Sequence, residues 1–223
     1  MHRVIALFAI AALSGMSDTT DSLTAVFAHI DAAAKTFKGM TADVSNTHYT
    51  ALVDDKDVQT GTMKLLVKPG VTRVLSDLGT PGGGQKVALD GHNVNVYNPK
   101  TNIVDVYNLA NKQGLVDQFL LLGFGATSEE LKSTYAIAWV AEEKIGSQTA
   151  SHLKLVPKSA ETLHTLKQAD LWFGVNGLVI QQKFLFPSGD YTLVTYSNMK
   201  VGAIHEKDLE LKTAKGAVFQ RHD

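Results

Sequence analysis

The chain has no cysteine, so disulfides, thiolate chemistry and cysteine-ligated zinc are excluded at the outset. It also lacks a dominant sign of charge. Its 21 basic and 22 acidic residues are interleaved and leave a formal charge of −1, which offers no basic field for nucleic acid or for an anionic membrane surface. Beyond the first few residues there is no apolar run near the ~20 residues of a membrane-spanning helix. Signatures of catalysis are missing as well. There is no Gly-x-Ser-x-Gly elbow. "GTPGGGQK" has Gln85 where a phosphate loop needs lysine, and a strand follows it, so it reads as a turn. The eight histidines, at positions 2, 29, 48, 92, 152, 164, 205 and 222, have no partners at metal-ligand spacing. His152 and His164 fall in strand-like segments, where solvent exposure or a hydrogen bond is expected rather than metal ligation. The carboxylates are scattered. The expectation is a protein that is not an enzyme and needs no cofactor or metal.

What is present starts with the leader. "MHRVIALFAIAALSG" has Arg3, then the apolar run Val4–Leu13, then small residues, with Ala12 and Ser14 suited to cleavage after Ser14. That is the layout of an export signal. We therefore expect a cleaved signal at residues 1–15, a folded domain over 18–223, and a periplasmic destination, where a chain without disulfides is held by its own core. The box "LSGM" would resemble a lipid-attachment sequence if position 16 were cysteine, but Met16 has no thiol.

Hydrophobic residues make up 44% of the chain, enough for a sizeable core. Leu23, Val26, Phe27 and Ile30 fall at helical spacing in Asp18–Lys38, which predicts an amphipathic helix capped near Thr20 or Asp21. After Gly39 the texture becomes short alternating segments broken by Lys68–Pro69–Gly70, Pro81–Gly84, Asp90–Gly91 and later turns, which predict about 10–11 strands in antiparallel pairing. One segment breaks this texture. "NKQGLVDQFLLLGFGATSEELKS" places Leu115, Phe119 and Leu122 on one face, with Val116 and Leu120 beside them, and "TSEEL" predicts a second helix starting at Thr127 or Ser128. A single sheet of this size must curl, and its apolar concave face then needs a cover. The apolar segment, ending in Gly123 and Gly125, reads either as a buried helix or as a hinged lid. The fold class expected is α+β: one curled antiparallel sheet, an incomplete barrel, closed by a helical lid. Apolar stripes at Met63, Leu65 and Val67, at Tyr135, Ile137 and Trp139, and at Leu178, Ile180, Phe184 and Phe186 would face the cavity, interrupted by polar residues such as Gln182.

From Gly39 onward, five stretches in order carry a resemblance to a known family: "GTMKLLVKPGVTRVLS" (61–76), "VALDGHNVNVYNPKTN" (87–102), "HLKLVPK" (152–158), "DLWFGVNGLVIQQKFLFPSGDYTLVTYSNMK" (170–200) and "DLELKTAKGAVF" (208–219). Together they resemble the periplasmic outer-membrane lipoprotein carriers, the LolA-like proteins. The resemblance implies an incomplete β-barrel that sequesters lipoprotein acyl chains and shuttles them from the inner to the outer membrane as a monomer. Its implied partners are acylated lipoproteins or lipid, an inner-membrane release complex and an outer-membrane acceptor. The cavity wall would include Met63, Leu65, Val67, Val94, Val96, Trp139, Leu155, Ile180, Phe184 and Tyr196, and the lid Phe119, Leu120 and Leu122. Lys68 stands where the best-known carriers have an arginine implicated in lid opening; it would gate the mouth, but it keeps the charge without the planar donor fork. The alternative on this fold is a non-catalytic envelope-stress sensor or structural lipid-binding module, or a membrane-held acceptor were Met16 not the native residue.

Overall fold

The computed structural model describes residues 14–68, 71–80, 83–90, 92–108 and 122–222. The leader therefore lies outside the described residues, apart from its last two positions. The first helix, α1 (Ser14–Ala34), begins earlier than the cap-like residues Thr20 and Asp21 predict. It ends at Ala34, and Phe37 turns inward behind it (8% exposed).

Two meanders follow. The first comprises β1 (Gly39–Thr50), β2 (Asp55–Lys68), β3 (Val71–Thr80), β4 (Gly83–Asp90), β5 (Asn93–Asn98) and β6 (Ile103–Asn108). The second is introduced by α2 (Ser128–Thr134) and comprises β7 (Tyr135–Ile145), β8 (Gln148–Pro157), β9 (Gln168–Gly174), β10 (Val179–Leu185) and β11 (Tyr191–Val201). A one-turn helix, α3 (Ala160–Leu163), precedes β9 and takes His164 as its C-terminal cap, so His164 is not in a strand as expected. The α2 start is as predicted: Thr127 accepts from the Glu130 amide while the Glu130 carboxylate accepts from the Thr127 amide.

Pairing of β1 with β11, from Met40↔Val201 to Tyr49↔Tyr191, fuses the meanders into one sheet. A final strand, β12 (Val218–His222), completes the order β12-β6-β5-β4-β3-β2-β1-β11-β10-β9-β8-β7. All pairings are antiparallel except β12 with β6, which is parallel. The described sheet thus has 12 strands, slightly more than expected. The short β6, whose apolar residues do not alternate cleanly, was not legible as a strand.

The sheet curls about a concave face. Ala42, Val44, Leu65, Val74, Leu89, Leu153, Leu155, Leu171, Phe173, Phe184 and Tyr196 point into it and form one buried core with Val26, Phe27 and Ile30 of α1. Fully burying each Val, Leu, Ile or Phe among them is worth about 1.5–3 kcal/mol. The opposite, convex face of β2–β6 is covered by the chain's own C-terminal segment. From Gly202, whose amide donates to the Gly39 carbonyl, it crosses β2 and β3 as a 3-10 turn (Glu206–Leu209) and reaches β5, where the Ala214 amide donates to the Tyr97 hydroxyl. Leu66, Ala88, Tyr97, Val104 and Leu209 are all buried on this side, each at most 5% exposed. Among the described residues no helix is long and apolar enough to cross a membrane.

Strands β2 and β3 approach closely at Gly61, where a Cβ would run into the Asp77 carbonyl oxygen of β3. Gly61→Ala should therefore cost about 2 kcal/mol or more. Gly202→Ala, where a Cβ meets nothing within 4 Å, should stay within about 0.5 kcal/mol of the parent. Chemical denaturation of both variants checks the contrast.

Candidate functional site

The two halves of the concave face differ. Over β7–β10 the described structure is closed except for a cleft beside Trp139: α1 and α2 pack there, and Leu155, Leu153, Leu171 and Val179 are wholly buried. Over β2–β5 the wall is apolar but only half-buried. Met63, Val67, Leu78 and Val94 pack on the core yet keep part of their surface accessible, and Val96, of the same parity as Val94, is also half-buried. Of the wall residues expected from sequence, Leu65, Leu155, Phe184 and Tyr196 are buried in this same core, and Met63, Val67, Val94 and Val96 line the half-open part. Trp139, half-buried, faces a separate cleft against α1.

Ile180 departs from expectation. A bulge in β10 between Val179 and Gln181 resets the alternation, so Val179 and Gln182 face the core while Ile180 joins Ala150 and Trp172 in a small cluster on the convex side. Lys68 departs as well. It alternates with the inward Val67, so it points to the convex face, where its Nζ pairs with Glu206 of the C-terminal segment at 2.5 Å. Glu206 also meets Arg73 at 3.2 Å, and Arg73 pairs with Asp90 at 2.6 Å. Lys68 and Arg73 thus fasten the C-terminal segment to the sheet. The position expected to gate the mouth serves this clamp instead.

Phe119 and Leu120 lie outside the described residues. The third lid residue, Leu122, is described and is 3% exposed. It begins a segment that enters the core: Phe124 is 1% exposed, meets Tyr196 edge-on at 5.1 Å and stacks on Phe37 at 6.0 Å. Gly123 and Gly125 both have left-handed φ, +93° and +80°, and a Cβ on Gly123 would press on Val179. Both the backbone angle and the packing therefore demand glycine at 123.

Gln182 holds this segment to the wall. Its amide nitrogen donates to the Leu122 carbonyl and its amide oxygen accepts from the Tyr196 hydroxyl at 2.8 Å. Burial pushes the Tyr196 hydroxyl's pKa up, so it stays a neutral donor. Sequence reasoning missed this role, although the signal was there: a glutamine on an otherwise apolar parity must find partners if it is buried. Asp31 fixes the far end of the segment. Its two carboxylate oxygens accept from the Ser128 amide at 2.7 Å and the Ser128 hydroxyl at 2.8 Å, joining α1 to α2. Burial raises the Asp31 pKa, but the bonds from Ser128, with Lys132 and Lys35 nearby, outweigh it and hold the group below its ordinary value.

On the convex face His152 sits between Glu143 (2.9 Å) and Asp170 (3.1 Å) and stacks on Trp172, whose indole donates to Glu143 at 2.9 Å. Both ring nitrogens are engaged, so of the two roles expected for this histidine, exposure or hydrogen bonding, the structure shows the second. Among the described residues no cluster of His, Cys, Asp or Glu is arranged to hold a metal ion.

No protein-family model and no curated protein matches the chain. Solved structures do. An uncharacterized conserved protein from Thermus thermophilus has TM-score 0.55 at 13% identity, covering 90% of this chain and 99% of that one. The lipoprotein LppX of Mycobacterium tuberculosis has TM-score 0.52 at 12% identity, covering 82% and 98%. The fold is the one these two proteins share, a single open, curled antiparallel sheet with few helices. The LolA superfamily protein NE2245 from Nitrosomonas europaea aligns over 86% of this chain and 98% of that one at 15% identity, with a TM-score of 0.37. At these identities the likeness is one of fold.

Replacing Gln182 with leucine should destabilise the protein by about 2 kcal/mol, because a buried carbonyl and a buried hydroxyl lose their partner. Adding Tyr196→Phe should cost less than in the parent, and a double-mutant cycle by denaturation measures the coupling. Asp31 gives a pH test. Its lowered folded value means that its contribution is full above the ordinary carboxylate pKa of about 3.9 and is lost as pH falls through the folded value. The stability gap between the parent and Asp31→Asn should therefore be flat from about pH 7 to 5 and close below about pH 4.

Proposed function

We propose that the protein is a periplasmic, non-catalytic carrier that sequesters acyl chains of a lipid or lipoprotein against the concave face of its sheet. The observation that carries this reading is the half-exposed apolar wall of β2–β5, with Met63, Val67, Leu78 and Val94 extending a fully buried core into accessible surface. A wall of that kind inside a curved sheet gains by covering another apolar body. Each methylene removed from water contributes about 0.8 kcal/mol, so several long chains amount to tens of kcal/mol and do not cross an aqueous space uncovered.

In this reading the segment containing Phe119, Leu120 and Leu122 is the lid, and its anchored end is the stretch held by Gln182 and Asp31. Cargo is taken up from a release complex at the inner membrane. It is given up to an outer-membrane acceptor that binds it more tightly, since release needs only a difference in affinity. Residues 1–15 serve as the export signal and 18–223 as the functional domain. Cleavage after Ser14 leaves nearly all of α1 in place, and Met16 offers no thiol for a tether.

The test is direct. Protein purified from cells is examined by native mass spectrometry for bound acyl lipid, and the delipidated protein is titrated with a fluorescent long-chain fatty acid. Met63→Asp and Val94→Asp should each weaken binding about tenfold or more, because a carboxylate in the wall must be desolvated by the chain. Phe119→Asp should weaken it with the β-sheet circular dichroism unchanged. Wild-type affinity in the Met63 and Val94 variants would overturn the proposed site, and a protein that carries and takes up no acyl lipid would overturn the function.

A further inference from the structure

A second cavity lies at the other end of the sheet, between α1 and strands β7–β9, with a volume of about 250 Å³. Its apolar lining includes Val26 of α1 and Phe173 of β9, both buried in the core. His29, Trp139, Glu142 and Ser151 also line it. Strands β10, β11 and β1 separate it from the half-open β2–β5 wall.

The decisive feature is in the edge strand β7. Trp139 and Glu142 are three residues apart, a spacing that puts side chains on opposite faces of a regular strand. A bulge between Trp139 and Ala141 resets the alternation and turns both into the same cavity. Bulges are over-represented at sheet edges and beside functional sites, where they re-aim a side chain. Glu142 then pairs across the ladder with Ser151, which sets a hydroxyl beside the carboxylate. No lysine or arginine is among the described residues lining the cavity, and Glu142 is its one carboxylate.

We propose that this cavity binds the cationic amino head of a small amphiphile, with the ammonium between the Trp139 ring and the Glu142 carboxylate and the first carbons of the apolar part over Val26 and Phe173. An aromatic face and a carboxylate both attract an ammonium, and both disfavour an anionic head. The hydroxyl of Ser151 supplies a neutral acceptor. The assignment does not rest on the acyl-carrier reading, since it uses different residues at a different place on the sheet.

The test uses the intact protein and follows Trp139 fluorescence, against Trp172 on the opposite face as a constant background. The probes are dihexanoylphosphatidylethanolamine, dihexanoylphosphatidylglycerol and hexylamine, each below its critical micelle concentration. The ethanolamine lipid should give a saturable change, with the glycerol lipid weaker by about tenfold. A response to hexylamine too identifies amino amphiphiles in general as ligands, and a response to the lipid alone identifies a lipid head; both outcomes support the site. Glu142→Gln, at an exposed position that leaves the core untouched, should abolish the preference between the two lipids. Trp139→Phe should remove the optical signal, and isothermal calorimetry should show weakened amine binding. Equal affinity for the two lipids, a preference that survives Glu142→Gln, or no saturable response to either amine would overturn the proposal.

Discussion

Everything in this molecule depends on one seam, the ladder between β1 and β11. Each meander alone is a run of hairpins that makes only half of the concave wall. Joined from Met40↔Val201 to Tyr49↔Tyr191, they become a sheet too wide to lie flat, and the twist of its strands bends it into a trough. The trough fixes the remaining needs. Its concave side must be filled by helices, by the chain around Phe124, or by something brought from outside. Its ends must be closed by edge strands that do not recruit neighbours.

The two halves meet these needs differently. Over β7–β10 the chain supplies its own filling, with α1, α2 and Phe124 packed on buried leucines and valines. Polar bonds fix this filling in place: Gln182 bridges the wall and the Leu122 carbonyl, and Asp31 bridges two helices through Ser128. Over β2–β5 the described chain leaves the wall half-covered while shielding the back of the same strands with the C-terminal segment. A wall dry on its outer side and part-open on its inner side can change its inner contents without losing its shape.

Much of this was legible in the sequence, and the failures have identifiable causes. Alternation with turn residues located most strands, and Thr127 with Glu130 marked the start of α2. Bulges were not legible, because one extra residue leaves no compositional trace. The β10 bulge sent Ile180 to the wrong face, and the β7 bulge concealed the partnership of Trp139 and Glu142. The direction of Lys68 was readable in principle, since Leu65 and Val67 inward put Lys68 outward. The likeness of its position to an arginine in a known family obscured that simple parity. The parallel β12 could not be foreseen, because its partner β6 lies more than a hundred residues earlier and no local pattern encodes such a pairing.

The C-terminal segment also bears on the order in which the molecule is completed. Leu66, Ala88, Tyr97 and Val104 belong to strands made early, yet the chain that covers them, residues 202–222, is made more than ninety residues after the last of these strands. Until it arrives, those strands present apolar side chains on the convex face as well as the concave one, and β6 has a bare edge. For that interval the half-formed sheet is sticky on both sides. The Lys68–Glu206 and Arg73–Glu206 pairs can form only once the tail lies across those strands.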